Sequence, residues 1–305
     1  SHVIGYVKNP NKKEYPKLAN VPGTVVGKIG IEKSFDKKLQ GKFGIKKEEV
    51  NAHGRVVKEI SRVNGIPGED IKVSISKDLQ EFCYDRLESN TGAIVVLDVN
   101  NGEILSLVSL PDFNPNIRKS LTDINFINRA TKGVYEFGSV FKTFTLAAAL
   151  DEKIIKPETE FVNLPKSLTC AGFPIREYDE KLPSTLTAEQ LSIRSGNIGP
   201  ARIGQKIGEE KFKLFLSKIG VLDEINFDIE EVGKPIKFNW GKCPLATASF
   251  GHGITTTLLQ LAKAYSIIVN GGYNIQPGLI KKEKENKKEK ILNDEVSKKI
   301  LPILR

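Results

Sequence analysis

The sequence predicts a mixed α/β protein of the α+β kind: an antiparallel sheet flanked by helices, with a small β-rich module ahead of it. Three observations carry that reading. Residues 93–110 hold two apolar runs on either side of Asn100, Asn101 and Gly102, and Asn-Gly between such runs is the strongest short signal for a hairpin. From residue 139 onward, segments with apolar residues at helical spacing end at glycines or at Asn-Gly, the usual helix stops. Residues 1 to 70 are instead rich in Gly and Lys, with short β-like runs such as "TVVGKIGIEKSF" and "NAHGRVVKEI".

Taken in order, the front module spans 1–70 and closes at "GIPGED", a turn and a domain boundary. Residues 71–305 form the second domain. Ile71, Val73 and Ile75 alternate, which predicts a short strand. Lys77 to Leu87 reads as a helix with Leu79, Phe82, Cys83 and Leu87 on one face. The run Ala93 to Val99 is apolar almost throughout, so its strand is expected to be buried on both faces. Glu103 to Leu110 returns beside it, and both residues of the Asn101-Gly102 turn are expected at positive φ. A helix begins near Ser139. Residues 151–250 read as mostly helical with Gly and Pro breaks. "GEEKFKLFLSKIG" puts Phe212, Phe215, Leu216 and Ile219 on one face. "TTTLLQLAKAYSIIVNGG" turns Leu258, Leu261, Ala262, Tyr265 and Val269 inward, with a Thr as its cap. "NDEVSKKILPILR" is capped by Asn293 or Asp294, with Val296 and Ile300 inward.

The bulk numbers exclude several functions. The chain has 305 residues, 39% hydrophobic and 27% charged, enough for one large domain and a smaller one. It has no run of 18 apolar residues, so nothing in it is expected to span a membrane. It opens with neither Met nor a signal-type region, and reads as starting mid-protein. The formal net charge is +9, much of it in Lys runs such as "KKEKENKKEK" at 281–290. That run mixes Lys with Glu and lacks aromatics, so it reads as a solvated loop or hairpin tip and not as a nucleic-acid arm. A basic surface also suits an anionic envelope or membrane surface. Cys83, Cys170 and Cys243 are far apart and odd in number, so no disulfide framework or metal site is expected. His2, His53 and His252 are too scattered for a zinc cluster.

One residue breaks an apolar run and asks for a reason. In "VYEFGSVFKTFTLAAALD", Lys142 stands three residues after Ser139. Residues i and i+3 share a helix face, so hydroxyl and amine are within reach. Burial would lower the lysine pKa, and a neutral lysine can take the proton of a neighbouring hydroxyl. The helix N-terminus favours negative charge developing at Ser139, and Gly138 lets a substrate approach the backbone. The plainer reading is a lysine that snorkels outward from a surface helix. A second element is "LSIRSGNIGPARIG", where Ser195 and Asn197 precede a helix. Either residue could be an ordinary N-cap. Alternatively Ser195 relays a proton and Asn197 binds a substrate amide. Ser-x-x-Lys followed by Ser-x-Asn makes up two of the three motifs of penicillin-recognising serine enzymes.

With those motifs, the chain resembles a class B penicillin-binding protein, a monofunctional peptidoglycan D,D-transpeptidase, over nearly its whole length. "GKIGIEKSFDKKLQGKFG" and "VNAHGRVVKEI" resemble the family's non-catalytic pedestal. "GAIVVLDVNNGEILSLVSLPDFNPN" and "NRATKGVYEFGSVFKTF" resemble the entry to the transpeptidase domain, and "ATASFGHGITTTLLQLAKAYSIIVNGG" the approach to the third motif. The first half is closer to the elongation type, the half from Asn128 onward to the septal type.

The resemblance implies a serine β-lactamase-like transpeptidase fold and two-step acyl transfer without a cofactor or metal. Ser139 is the nucleophile, Lys142 the base, Ser195 a proton relay, and Asn197 the holder of the acyl amide. It implies stem peptides of peptidoglycan as substrates and β-lactams as ligands. It also implies a glycosyltransferase and other elongation or division proteins as partners. The implied location is the periplasmic side of the cytoplasmic membrane, anchored by an N-terminal helix absent from this chain. Two departures stand out. Ser76 lies where the family commonly has Asp, which weakens a local cap. The 305 residues contain no Lys-Thr-Gly, which in the family opens a core strand after a helix like that at 294–304. The sheet is therefore expected to be incomplete, and residues 1–305 alone to bind β-lactams poorly. Two other readings stand beside this one. A β-lactam sensor or β-lactamase of the same fold is opposed by the pedestal-like front. A non-catalytic scaffold of the cell-wall machinery is favoured by the missing motif.

Overall fold

A computed structural model describes residues 1–117, 122–282 and 288–305 of the chain. Its contacts divide the chain into two compact units. The first holds Ser1–Val73, Asp112–Phe126 and Asp228–Glu231; the second holds the rest.

In the first unit, β1 (Tyr6–Lys8) pairs antiparallel with β2 (Val26–Ile29), and α1 (Gly30–Ser34) follows directly. An aromatic cluster fixes the returning segment Asp112–Phe126: Phe113 meets His2 at 5.4 Å, Tyr6 at 5.8 Å and Phe126 at 4.9 Å between ring centroids. Glu230 pairs with Lys33 at 2.7 Å, and Glu231 accepts the Gly30 N–H at 3.2 Å. The remaining strands, β3 (Ile45–Val50) and β4 (Val56–Val63), form a ribbon that is exposed along almost all of its length. Its Ile45, Val57, Ile60 and Val63 are all more than half exposed.

The second unit is α+β, and among the described residues each of its sheets is two-stranded and antiparallel. The expected hairpin is β5 (Gly92–Leu97) paired with β6 (Ile104–Leu110). Its turn differs from the expectation. Only Gly102 takes positive φ, at 80°, and the connection is longer, closed by Gly102 N–H to Asp98 O at 2.9 Å. Side-chain oxygens of Asp98 and Asn101 accept further N–H groups in the turn, so a longer loop replaces the two-residue one. Burial differs as well. The apolar β5 is only half-buried throughout, and it is β6 that is covered.

Cover for β6 comes from α2 (Lys77–Leu87), whose Cys83, Leu79 and Leu87 pack on Val108, Leu110, Ile94 and Val96. Gln80 satisfies the strand's free edge: it accepts the Leu107 N–H at 2.8 Å and donates to Leu107 O at 2.9 Å. Phe82, expected on the same face, is 55% exposed, with the Arg86 guanidinium 5.0 Å above its ring. Ser76 occupies the N-cap without a side-chain cap bond, as the Ser-for-Asp departure suggests. Ile71–Ile75 does not form a strand. Its Ser74 N–H bonds Leu279 O at 2.7 Å, and the Ser74 hydroxyl bonds Ile104 O at 2.8 Å, single attachments and not a ladder.

The core of this unit surrounds α3 (Lys142–Asp151), in which eight of ten residues are buried. Phe144, Ala147, Ala148 and Ala149 are fully buried. Alanines let neighbouring helices approach closely, and a helix apolar on all sides belongs inside. Around it lie α4 (Ala188–Ile193), α5 (Ile198–Ile207), α6 (Glu209–Lys218) and, further along the chain, α7 (Lys242–Ala248), α8 (Leu258–Val269) and α9 (Asp294–Ile300). Phe212, Phe215, Leu216 and Ile219 are buried as their spacing predicts. Asn293 caps α9, and Val296 and Ile300 point inward. Thr257 caps α8 in a reciprocal box with Gln260. The inward face of α8 is not the expected one. Leu259, Gln260, Leu261, Ala264, Ile267 and Ile268 are buried, while Leu258, Ala262, Tyr265 and Val269 are only half-buried.

The expectation of no disulfide is overturned: Cys170 and Cys243, 73 residues apart, are bonded, with Cα atoms 5.6 Å apart. A hairpin of β7 (Ser167–Cys170) and β8 (Phe173–Arg176) presents Cys170 to the start of α7, a juxtaposition that spacing along the chain cannot reveal. Cys83 is the free cysteine, buried on the face of α2 that packs on β6. Residues 283–287 of the Lys-rich run lie outside the described residues; Glu289–Lys290 pairs with Tyr273–Asn274. Among the described residues no helix is long and apolar enough to cross a membrane.

Candidate active site

Gly138–Phe141 forms a single 3₁₀ turn that leads directly into α3. Ser139 is on this turn and Lys142 is the first residue of the helix, three positions on, the spacing at which side chains share one face. Gly138 sits at φ +54° with open space around it, so the conformation, not crowding, calls for glycine there. The turn is anchored from below. Phe141 is fully buried and meets Phe144 edge-on at 5.0 Å. From α8, the Tyr265 hydroxyl donates to Val140 O at 2.8 Å and lies 3.0 Å from Thr143 Oγ1. Gly251 presses against it from the other side: a Cβ at Gly251 would fall 1.9 Å from Gly138 O. These contacts leave Ser139 exposed at the surface and Lys142 only 5% exposed beneath it.

Lys142 does not snorkel. Its Nζ donates to Ser195 O at 2.5 Å and to Ser195 Oγ at 3.2 Å. Burial lowers its pKa from 10.5 to about 8, against the opposing pull of the Glu177 carboxylate. Roughly a tenth of the lysines are then neutral at pH 7, and these can act as a base. Ser195 follows α4, whose N-terminus is fixed by a capping box of Thr187 and Gln190. Its backbone is at φ +52°, a region that costs a non-glycine residue about 1 kcal/mol or more and clusters at functional sites. Both its carbonyl and its hydroxyl meet Lys142.

Asn197 occupies the N-cap position of α5, but its side chain makes no cap bond. Its amide donates instead to Arg176 O at 2.9 Å. The reading of this motif as ordinary capping therefore does not apply to Asn197. The cap comes from elsewhere: Glu177 accepts the N–H groups of Asn197 and Ile198.

The structure thus brings Lys142 into hydrogen-bond contact with Ser195, with Asn197 two residues further along; Ser139 stands three residues before Lys142, on the 3₁₀ turn that leads into α3. A groove of about 910 Å³ reaches Asn197 and is otherwise lined by residues such as Phe173, Arg176, Phe238, Phe250 and His252, with the Cys170–Cys243 disulfide in its wall; Ser139, Lys142 and Ser195 are not among its lining residues. Glu177, Tyr265, Gly251 and the disulfide were not found from sequence. A signal that could have pointed to Glu177 is Gly196, between Ser195 and Asn197, where a Cβ would stand 2.9 Å from the Glu177 carboxylate. The arrangement supplies an exposed hydroxyl, a buried amine of lowered pKa and a second hydroxyl on that amine, which are the parts of serine acyl transfer.

Comparison with known proteins agrees with that chemistry. Residues 92–305 match the description of a penicillin-binding protein transpeptidase domain, and residues 1–73 that of a penicillin-binding protein dimerisation domain. The chain is 33% identical to the peptidoglycan D,D-transpeptidase FtsI of Buchnera aphidicola subsp. Baizongia pistaciae, over 98% of this chain and 55% of that relative. It is 29% identical to the probable peptidoglycan D,D-transpeptidase PenA of Neisseria flavescens, over 91% of this chain and 72% of the relative. It is 28% identical to the peptidoglycan D,D-transpeptidase MrdA of Escherichia coli K12, over 95% and 51%. The chain spans about half the length of the FtsI and MrdA relatives.

Proposed function

The chain belongs to the class B penicillin-binding proteins, and from that membership we propose that it acts as a serine peptidoglycan D,D-transpeptidase. Ser139 Oγ attacks the carbonyl between two terminal D-alanines of a stem peptide, and Lys142 takes the hydroxyl proton. The C–N bond breaks, and the departing D-alanine amine receives a proton relayed through Ser195. Asn197 holds the amide of the acyl arm. The amine of a neighbouring stem peptide then attacks the ester, forms the crosslinking amide and frees Ser139. The Ser139 N–H supplies an oxyanion donor, a group worth about 3 kcal/mol in comparable sites. A β-lactam follows the first half of this path. The observation that carries the reading is the buried Lys142 amine, hydrogen-bonded to Ser195 and one turn behind Ser139.

Residues 1–70 serve in this proposal as a non-catalytic pedestal to a transpeptidase domain over 71–305. The protein works outside the cytoplasm, at the periplasmic face of the inner membrane. The disulfide supports that location, because such bonds persist in oxidising compartments. Its partners there are a glycosyltransferase and other proteins of elongation or division. The decisive test treats the whole protein with penicillin and maps the adduct by mass spectrometry. The adduct is expected on the peptide containing Ser139; an adduct on any other residue would sink the assignment.

A further inference from the structure

Glu177 follows β8 and is half-buried. Both of its carboxylate oxygens are engaged. Oε2 accepts the Asn197 N–H at 2.5 Å, and Oε1 accepts the Ile198 N–H at 3.0 Å. At Gly196 a Cβ would stand 2.9 Å from Oε2 and 3.0 Å from Oε1, so the carboxylate covers the backbone of all three residues after Ser195. The residue before it, Arg176, accepts the Asn197 amide at 2.9 Å.

An N-cap side chain usually satisfies the first N–H groups of its own helix. Here a carboxylate from a hairpin some 20 residues away does so. Two consequences follow. The Asn197 amide is released from capping, and the turn is held in a form where Ser195 takes φ +52° and turns its carbonyl and hydroxyl to Lys142. Among the described residues, Glu177 is also the charged group acting on Lys142. Ser195, from the turn between α4 and α5, faces the amine with a neutral hydroxyl.

We infer that Glu177 is a positioning residue for acyl transfer: it caps α5 from outside and so sets Ser195 and Asn197 against Lys142. The inference rests on the proposed Ser139–Lys142 chemistry. A purely stabilising cap would be replaceable at a small cost in melting temperature and no change in the pH profile. A positioning carboxylate beside the base would not.

The experiment uses the whole protein, with Glu177→Ala, Glu177→Gln and Glu177→Asp variants and Ser139→Ala as control. It reads the second-order rate of labelling by a fluorescent penicillin across pH 5.5–9.5 (a range of about four units around the amine's value), and the melting temperature. Misplacing reactive groups by about 1 Å costs on the order of 10²-fold, so the Ala and Gln variants are expected to label ~10- to 100-fold more slowly. Losing the negative charge favours the neutral amine, so the rising limb of the profile should move to lower pH. Asp is expected to recover part of the rate and keep the limb in place. Wild-type rates and an unmoved limb in both Ala and Gln would overturn the inference. So would a rate loss that merely follows melting temperature, with Asp no better than Ala. Should Glu177→Ala not fold, the nearly isosteric Gln variant decides. Label on Ser139→Ala would instead overturn the acyl-transfer reading beneath it.

Discussion

Lys142 can be a base because its surroundings penalise its charge. Burial brings its pKa down to about 8, so the reactive form grows as pH rises. The rate of penicillin acylation is expected to climb through pH 8 and level off above it, as measured by stopped-flow or gel labelling; a flat profile over that range would exclude Lys142 as the base. Stability is linked in the same direction. Between about pH 8 and 10.5 the unfolded chain keeps the lysine proton that the folded chain has released, so this group's contribution rises with pH across that window. Lys142→Arg should abolish acylation, because a guanidinium stays protonated, while circular dichroism still reports a folded protein. Near-wild-type labelling in that variant would make Lys142 structural. Gly251→Ala is a second residue-scale case. Its methyl would fall 1.9 Å from Gly138 O, so the turn that carries Ser139 must shift, and labelling should drop at least ~10²-fold. The Ser139–Lys142 pair was legible because both residues lie on one turn. Glu177 was not, because its partners are 20 and 21 residues away and an isolated Glu in a hairpin carries no local signal.

Helices show the same division between what is local and what is not. In α6 the apolar residues make one narrow stripe, so Phe212, Phe215, Leu216 and Ile219 could be read directly. In α8 they run around the whole helix, and spacing could not decide between Leu258 and Leu259, or between Val269 and Ile268. What decides is Gln260, a polar residue buried completely. It closes the capping box with Thr257 and donates to the carbonyls of Gly220 and Asp223. The capping threonine was foreseen, but three threonines in a row concealed which one. Thr257→Ala is expected to cost ~1 kcal/mol of stability in denaturant unfolding, and Gln260→Leu more, because two carbonyls lose a donor. A loss below a few tenths in both would show the box to be incidental. In the hairpin, β5 was read as doubly buried from its apolar run, yet composition does not say how many neighbours a strand has.

At the scale of the whole molecule, the disulfide and the path of the chain were the least legible features, because both depend on residues brought together from far apart. The Cys170–Cys243 bond closes 73 residues, a loop length for which chain entropy suggests roughly 4 kcal/mol. Replacing both cysteines by serine, or adding a reductant, should lower the melting temperature of the unit by ~10 °C; an unchanged melting temperature would mean that the two thiols are idle. The path has its own effect. The sequence suggests a clean break near residue 70, but Asp112–Phe126 and Asp228–Glu231 return to the first unit, where Phe113 and Phe126 pack with His2 and Tyr6. Residues 74–305 expressed alone would carry those two segments without their companions, and should appear mainly in the insoluble fraction. Seen from the gene, there is no seam. A crossover at codon 73 would give a daughter in which His2 and Tyr6 come from one parent and Phe113 and Phe126 from the other, so an exchange at that point has to match the aromatic cluster across it.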